Sequence, residues 1–480
     1  MNECKERALA AIEEKQELFC GISDKIWEYA ELSLLERRSA ALYIDALKAE
    51  GFAVTENLGG IETCFSGSFG EGKPIIGILG EFDALSGLSQ QANVAEKRPA
   101  PGMDTGHGCG HNLLGAGAFA AAVAVKRYLE LTKKSGTVVF FGCPGEEGGA
   151  SKAFLARDGF WKRLDAALTW HPGDTNEVVT GSCSACLQVE YAFSGLAAHA
   201  AVEADKGRSA LDAVELMNIG VQYLREHMPR SASVHYAVTD AGGVSPNVVQ
   251  EHARVLYMVR DDEVSGALDL LCRVDRIAEG AALMTGTAMQ KRFIDGMANT
   301  VPNFALEALL YENLAKCGVP QYLADETAFA QAVYDTYATA KPALPGIGAQ
   351  YDERIADFVR AQSCGGKKPL NDFRMPPYAC TAARPGSTDV GDVSYQTPTA
   401  QLSCVTWPSG CPGHSWQVVA MGKSPIAHKG LLCAGRVLAA TAIDLLDRPE
   451  LLTKIRAEFT ARTADGYRCP IPEGAVPTVV

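Results

Sequence analysis

Apolar positions along this chain fall first into short continuous runs. IIGIL at Ile75 to Leu79, TVVFF at Thr137 to Phe141 and AALTW at Ala166 to Trp170 have the character of strands buried on both faces. Between the first two lies Leu113 to Lys133, an alanine-rich stretch that reads as a helix. Residues Cys20 to Lys48 also read as helices, with Gly51 placed to cap them. Strand, helix and strand in succession imply a parallel sheet with helices on both faces.

From about Leu187 the rhythm changes. LQVEYAF alternates as a half-buried strand, Arg208 to Glu226 is an amphipathic helix, and SVHYAVT and ARVLYMV are strands. A helix from Val264 to Leu283 and a strand, MQKRFI, complete a β-α-β-β-α-β order, the split ferredoxin-like arrangement. Helical signals resume after Pro302. Lys341 to Gly391, rich in Pro, Gly and Asp, reads mainly as loop, and helices follow at Leu431 to Leu446 and Leu451 to Arg462. The expectation is an α/β protein. Residues 1–184 and 300–480 form one catalytic domain with a mainly parallel sheet flanked by helices, and residues 185–299 form an inserted α+β ferredoxin-like lid and dimerisation domain.

Composition narrows the function. With 480 residues and 47% hydrophobic content the chain can bury more than one core. Lys and Arg total 44 against 57 Asp and Glu, a net charge of −13 that repels polyanions, so no nucleic-acid partner is expected. The longest uncharged apolar stretch, Leu113 to Val125, is well short of the ~20 residues of a spanning helix, so no membrane partner is expected either. Fifteen scattered cysteines and an N-terminus without the basic-then-apolar pattern of an export signal point to a reducing cytoplasm.

Ligands of an open parallel sheet bind beyond the carboxyl ends of its strands, and the residues there are unusually polar. Gly80-Glu81-Phe82-Asp83 follows the first run, Gly142-Cys143-Pro144-Gly145-Glu146-Glu147 the second, and His171 the third. A further turn, Gly106 to Asn112, opens the alanine-rich helix and carries Cys109 and His111. Thiolate, imidazole and carboxylate each offer a lone pair to a divalent ion at about 2.0–2.3 Å. A lone Cys-Gly-His is more often an incidental thiol in a glycine turn. Two adjacent glutamates beside His171 in a water-poor crevice, however, call for a cation. His414 in a late loop could complete a metal shell, with His428 as the alternative at a helix start. There is no G-x-S-x-G elbow, H-E-x-x-H helix or phosphate-binding G-x-x-x-x-G-K-[ST], and the pair Cys183 and Cys186 lacks a partner pair at zinc-ribbon spacing.

These motifs together resemble the M20 metallopeptidases and amidohydrolases, in the branch that carries a Gly-Cys-Gly-His turn. GEFDALSGLSQ, GHGCGHNLLG, GCPGEEGG, ALTWHP, GLAAHAA, GRSALDAV, GGVSPNVVQ, STDVGDVS and AHKG carry the resemblance in order over nearly the whole chain. It implies two divalent metal ions per site, zinc or manganese, held by Cys109, His111, Glu147, His171 and His414. It makes Glu146 the catalytic base and Asp83 the carboxylate that orients the site. His199, Asn247 and Arg260 match substrate-binding positions, for the oxyanion and a terminal carboxylate. A salt bridge with Asp261 or Asp262 is an equal reading of Arg260. The implied reaction is cleavage of the amide bond of an N-acyl amino acid, with p-aminobenzoyl-glutamate as the candidate substrate. The implied assembly is a homodimer, or a heterodimer with a related subunit, in which the lid histidine reaches the other subunit's site. Open alternatives are a dipeptidase or other N-acyl-amino-acid hydrolase, and a noncatalytic subunit that binds an amino-acid ligand. One departure stands out: much of the family has His-x-Asp after the first strand, where this chain has Glu81-Phe82-Asp83.

Overall fold

A computed structural model describes residues 3–337, 344–346 and 350–479. Three amphipathic helices come first, α1 (Glu3–Glu14), α2 (Gln16–Tyr29) and α3 (Arg37–Ala49), and α3 stops where Gly51 takes a φ of +81°. Then follow β1 (Ala53–Glu56), β2 (Phe65–Glu71), β3 (Ile75–Glu81), the short pair β4 (Leu85–Ser86) and β5 (Thr105–Gly106), and α4 (His111–Thr132). The chain continues through β6 (Gly136–Cys143), α5 (Ser151–Arg157), β7 (Ala166–Gly173), β8 (Glu177–Val179) and β9 (Ser182–Cys183).

The three apolar runs become β3, β6 and β7, and each extends two or three residues beyond the run into the polar loop that follows. β3 lies between β6 and β7 and is parallel to both, as the runs predict. The whole sheet is mixed, in the order β1-β2-β6-β3-β7, then a late strand, then β8, because β1, β2 and β8 run antiparallel to their neighbours. The pattern FSGSFGE hides β2. It has no apolar run, and Gly67 is small because Leu47 of α3 packs where a Cβ would sit, 2.6 Å from it.

The sheet is covered on both faces. Ile76 and Ile78 face a core built with α1, α2 and α4, while Leu79, Val139 and Phe141 face α5 and Trp161. α4 is buried along most of its length and lies close on the sheet, because Gly115 and Gly117 leave no side chain between it and β3 and β7. A Cβ at Gly115 would meet Glu81 O at 2.6 Å.

The next segment builds a separate sheet from β10 (Ala185–Ser194), α6 (Ala210–Leu224), β11 (Ser233–Asp240), β12 (His252–Asp261), α7 (Val264–Thr285) and β13 (Ala288–Met297). Its strands are antiparallel in the order β11-β12-β10-β13, and α6 and α7 cover one face to enclose a core of their own.

The remaining elements are α8 (Phe304–Cys317), α9 (Ala324–Asp335), α10 (Glu353–Gln362), β14 (Ala383–Arg384), α11 (Val390–Ser394), β15 (Thr399–Val405), α12 (Trp416–Met421), α13 (Pro425–Asp447) and α14 (Glu450–Arg462). β15 fills the place between β7 and β8, and α13 packs on α4, which returns this part of the chain to the first sheet. In the stretch read as loop, α10 is a helix that Asp352 caps from its side chain, and residues 341–343 and 347–349 lie outside the described residues. Among the described residues no helix is long and apolar enough to cross a membrane.

Candidate active site

The loops after β3, β6 and β7 and the turn before α4 meet at one edge of the large sheet. Gly110, at φ +77°, turns the chain into α4, and Pro172 and Trp407 close over the spot where a side chain would project. That turn sets Cys109 Sγ 3.3 Å from His171 Nε2. His171 is oriented from behind, since its Nδ1 lies 2.7 Å from Pro172 O. Burial, and then His111, push its pKa down to about 4, so the ring is neutral with a lone pair to offer.

His111 is fully buried at the start of α4, with Nδ1 2.9 Å from Asp83 Oδ1. The other Asp83 oxygen accepts hydrogen bonds from Ser33 Oγ at 2.8 Å and from the Glu147 amide at 2.9 Å. Against the cost of burial, His111 and these donors hold the Asp83 carboxyl down to about 2. Asp83 therefore ties the His111 helix to the Glu147 turn. Glu36 does the same work from α3's start, accepting from Leu34 N, Gly145 N and Thr63 Oγ1. Burial, then Asp83, raise its pKa to about 8.

His414 completes the cluster, its Nε2 3.4 Å from Glu147 Oε1. It sits at φ +50°, a region that disfavours side chains, and its amide donates to Gly108 O at 3.0 Å. The late loop is thereby fastened to the Cys109 turn.

Two groups of three donors result, Cys109 with His111 and His171, and Cys109 with Glu147 and His414, each within 4.8 Å of one another. They share the thiol. His111 Nε2 and Glu147 Oε1 are buried and have no hydrogen-bond partner among the described residues. Burial pushes the Cys109 thiol up, and burial with Glu81 and Glu147 pushes the Glu146 carboxyl well up. A set so rich in anionic donors, with two buried ligand atoms that lack hydrogen-bond partners at its centre, fits divalent cations. A third group, Glu81, His111 and Glu146, adjoins these, with His111 Nε2 3.4 Å from Glu81 and 4.0 Å from Glu146.

Sequence reasoning missed what lies behind Glu81. Lys152 of α5 is fully buried, with Nζ 2.8 Å from Glu81 Oε1 and 2.5 Å from Asp389 Oδ1. The signal for it is a lysine beside the apolar run AFLA of a short helix.

The site opens into a cavity of about 530 Å³ lined by Cys109, Glu147, His171, His414 and Arg260, with the fully buried His111 outside its lining. Arg260 pairs with neither Asp261 nor Asp262: its Nη2 touches Met258 Sδ at 3.0 Å and its buried Nε has no partner among the described residues. His199 and Asn247 do not reach this cavity. They are exposed side by side beside the smaller, four-stranded sheet, where the Ala200 amide donates to Asn247 O at 3.0 Å. His428 is also elsewhere, bonded through Nε2 to Asp24 of α2 at 2.9 Å.

Although burial disfavours its charged form, Asp24 and Cys20 raise the His428 pKa from the ordinary 6.5 to about 9. The pair therefore stabilises the fold fully below about pH 6.5 and fades as pH rises through 9, a contribution on the order of 2 kcal/mol. Between pH 6 and pH 9.5 the urea midpoint should fall further for the native chain than for His428→Gln. Equal falls would remove the pair from the account.

The peptidase family M20/M25/M40 model matches residues 78–384. The chain is 43% identical to a subunit of the p-aminobenzoyl-glutamate hydrolase of Escherichia coli (strain K12), covering 98% of this chain and 97% of that one. It is 25% identical to the Xaa-Arg dipeptidase of Mus musculus, over 95% and 92% of the two chains. Its fold is like that of a Bacillus subtilis protein described as a dinuclear metal-binding peptidase of family M20, at 16% identity and a TM-score of 0.54, covering 91% of this chain and 99% of that one. A family match over more than half the chain, a near full-length relative and a buried cluster of metal donors agree, and the chain belongs to peptidase family M20/M25/M40, as a metal-dependent hydrolase.

Proposed function

We propose that this hydrolase cleaves the amide of an N-acyl amino acid, p-aminobenzoyl-glutamate being the substrate that its 43% identical relative suggests. The observation that carries this reading is the pair of three-donor groups sharing Cys109, with the uncommitted carboxylate of Glu146 beside them in a ligand-sized cavity. Cys109, His111 and His171 would hold one ion, and Cys109, Glu147 and His414 the other. Ions bound there supply Lewis-acid polarisation of the amide carbonyl and make water easier to deprotonate.

The chain's own residues do the rest. Glu146 takes the proton of the attacking water and returns it to the leaving amine. Glu147 is committed to the cluster and cannot take that role. Asp83 keeps His111 turned so that Nε2 faces the donors. Arg260 accepts a carboxylate of the substrate in its guanidinium fork. The three segments 1–184, 185–299 and 300–480 act as a catalytic domain carrying a lid. The exposure of His199 and Asn247, and of β11 at the edge of the lid sheet, supports a dimer in which these residues serve the partner's site. The partner is a second copy or a related subunit.

A thiolate common to both groups favours zinc over manganese. Chelation should abolish hydrolysis of p-aminobenzoyl-glutamate, and zinc should restore it more fully than manganese. Metal demonstrably bound without turnover would sink the self-sufficient enzyme and point to a missing subunit.

A further inference from the structure

The cavity wall carries six carboxylates, Glu81, Glu146, Glu147, Asp174, Glu177 and Asp295. Away from the metal-binding cluster they are already engaged by the protein. Asp174 accepts the amides of Gly346 and Gly410, Glu177 accepts Thr175 Oγ1 and Tyr378 Oη, and Asp295 accepts the amide of Gly149. Two guanidiniums on the same wall, Arg260 and Arg384, have no carboxylate within ion-pair distance among the described residues. Ser387, three residues after Arg384, lines the cavity with a buried hydroxyl whose neighbour is the Cys186 thiol.

The two arginines hold different places. Arg260 lies in β12 opposite Cys186, whereas Arg384 lies in β14 beside Cys183. Three residues of extended chain separate those neighbours by at most about 10 Å. Arg260 thus comes from the lid and Arg384 from the side of His171 and Glu177, whose ring and carboxyl both feel its charge. Both line one cavity of about 530 Å³, which has room for a molecule that carries two carboxylates.

We propose that Arg384, with Ser387, forms a second carboxylate subsite, so that the enzyme selects N-acyl amino acids with an acidic side chain. Arg260 takes the α-carboxylate and Arg384 the side-chain carboxylate. The inference rests on the amidohydrolase reading above and assigns its specificity. Arg384 is a specificity residue that touches the far end of the substrate, away from the amide that breaks.

The test compares p-aminobenzoyl-glutamate with p-aminobenzoyl-glutamine, its neutral isostere, on the metal-loaded full chain and on Arg384→Gln. A charge-assisted pair of this kind predicts ~10- to 100-fold higher kcat/KM for glutamate over glutamine, chiefly through KM, in the native chain. Arg384→Gln should erase that preference by lowering the glutamate value alone, and the unchanged glutamine value reports that the variant is folded and loaded. Arg384→Glu should invert the preference toward p-aminobenzoyl-arginine. Equal losses on both substrates, or no loss on either, would overturn the subsite while leaving the amidohydrolase reading intact. If the metal-loaded native chain turns over neither substrate, the self-sufficient amidohydrolase fails, and calorimetric binding of the same compounds to that metal-loaded chain still decides the subsite. Tighter binding of the glutamate compound that Arg384→Gln abolishes supports it, and equal binding or none overturns it.

Discussion

Replacing Glu146 by glutamine is expected to lower kcat on p-aminobenzoyl-glutamate by about 10²- to 10⁴-fold, the range of general acid–base catalysis, and to leave the bound metal content unchanged. Glu146 lies at the rim of the two donor groups: it belongs to neither group that contains Cys109, and its nearest approach to His111 Nε2 is 4.0 Å. Its neighbour differs in each respect. The buried Oε1 of Glu147 faces His414 Nε2 at 3.4 Å and has no hydrogen-bond partner among the described residues, and its amide is fixed by Asp83. Glu147→Gln should therefore lose metal as well as rate. On this expectation the two adjacent carboxylates separate into a proton carrier and a donor. The deciding measurement is metal content by mass spectrometry, taken on both variants beside the rate. Metal lost from Glu146→Gln would make Glu146 a ligand within the third group, with Glu81 and His111, and the base would have to be sought elsewhere.

Those carboxylates are legible in the sequence because each follows an apolar run that can only be a buried strand, and polar residues in that position have few other reasons to be there. The same logic places Glu81, Asp83 and His171 at one sheet edge, and ligand chemistry singles out Cys109 and His111. His414 and His428 look alike in sequence, each in a late polar segment. The difference is tertiary: the amide of His414 bonds to Gly108 O beside Cys109, while His428 finds Asp24. β2 leaves no trace because its small residues accommodate Leu47 instead of forming an apolar run. His199 and Asn247 are legible only through family resemblance, and the single chain leaves them exposed. Arg384 sits in a stretch whose Pro and Gly content announces loop and nothing about charge.

Lys152→Met is expected to cost about 3–5 kcal/mol of folding stability, the loss typical of removing one partner from a buried ion pair. Lys152, Glu81 and Asp389 are all buried, and Asp389 is bound twice, through the lysine's Nζ and through its amide at 2.9 Å. Burial alone would discharge the lysine, but Asp389 and Glu81 hold it firmly protonated. Removing its charge strands two carboxylates in a dry interior, where each must take up a proton or drag in water. The partners lie 237 residues apart, so the lysine also fastens α5 to the segment that leads into α11. It is equally the counterweight that leaves the second oxygen of Glu81 3.4 Å from His111 Nε2, where much of the family has a histidine. Denaturant midpoints should fall steeply for Lys152→Met and recover by more than half when Asp389→Asn is added, because the second change removes a stranded charge. A double variant as unstable as the single one would show that Lys152 matters for the volume it fills. Recovery would identify charge balance as what makes a glutamate tolerable at position 81, beside a cluster that already concentrates negative charge.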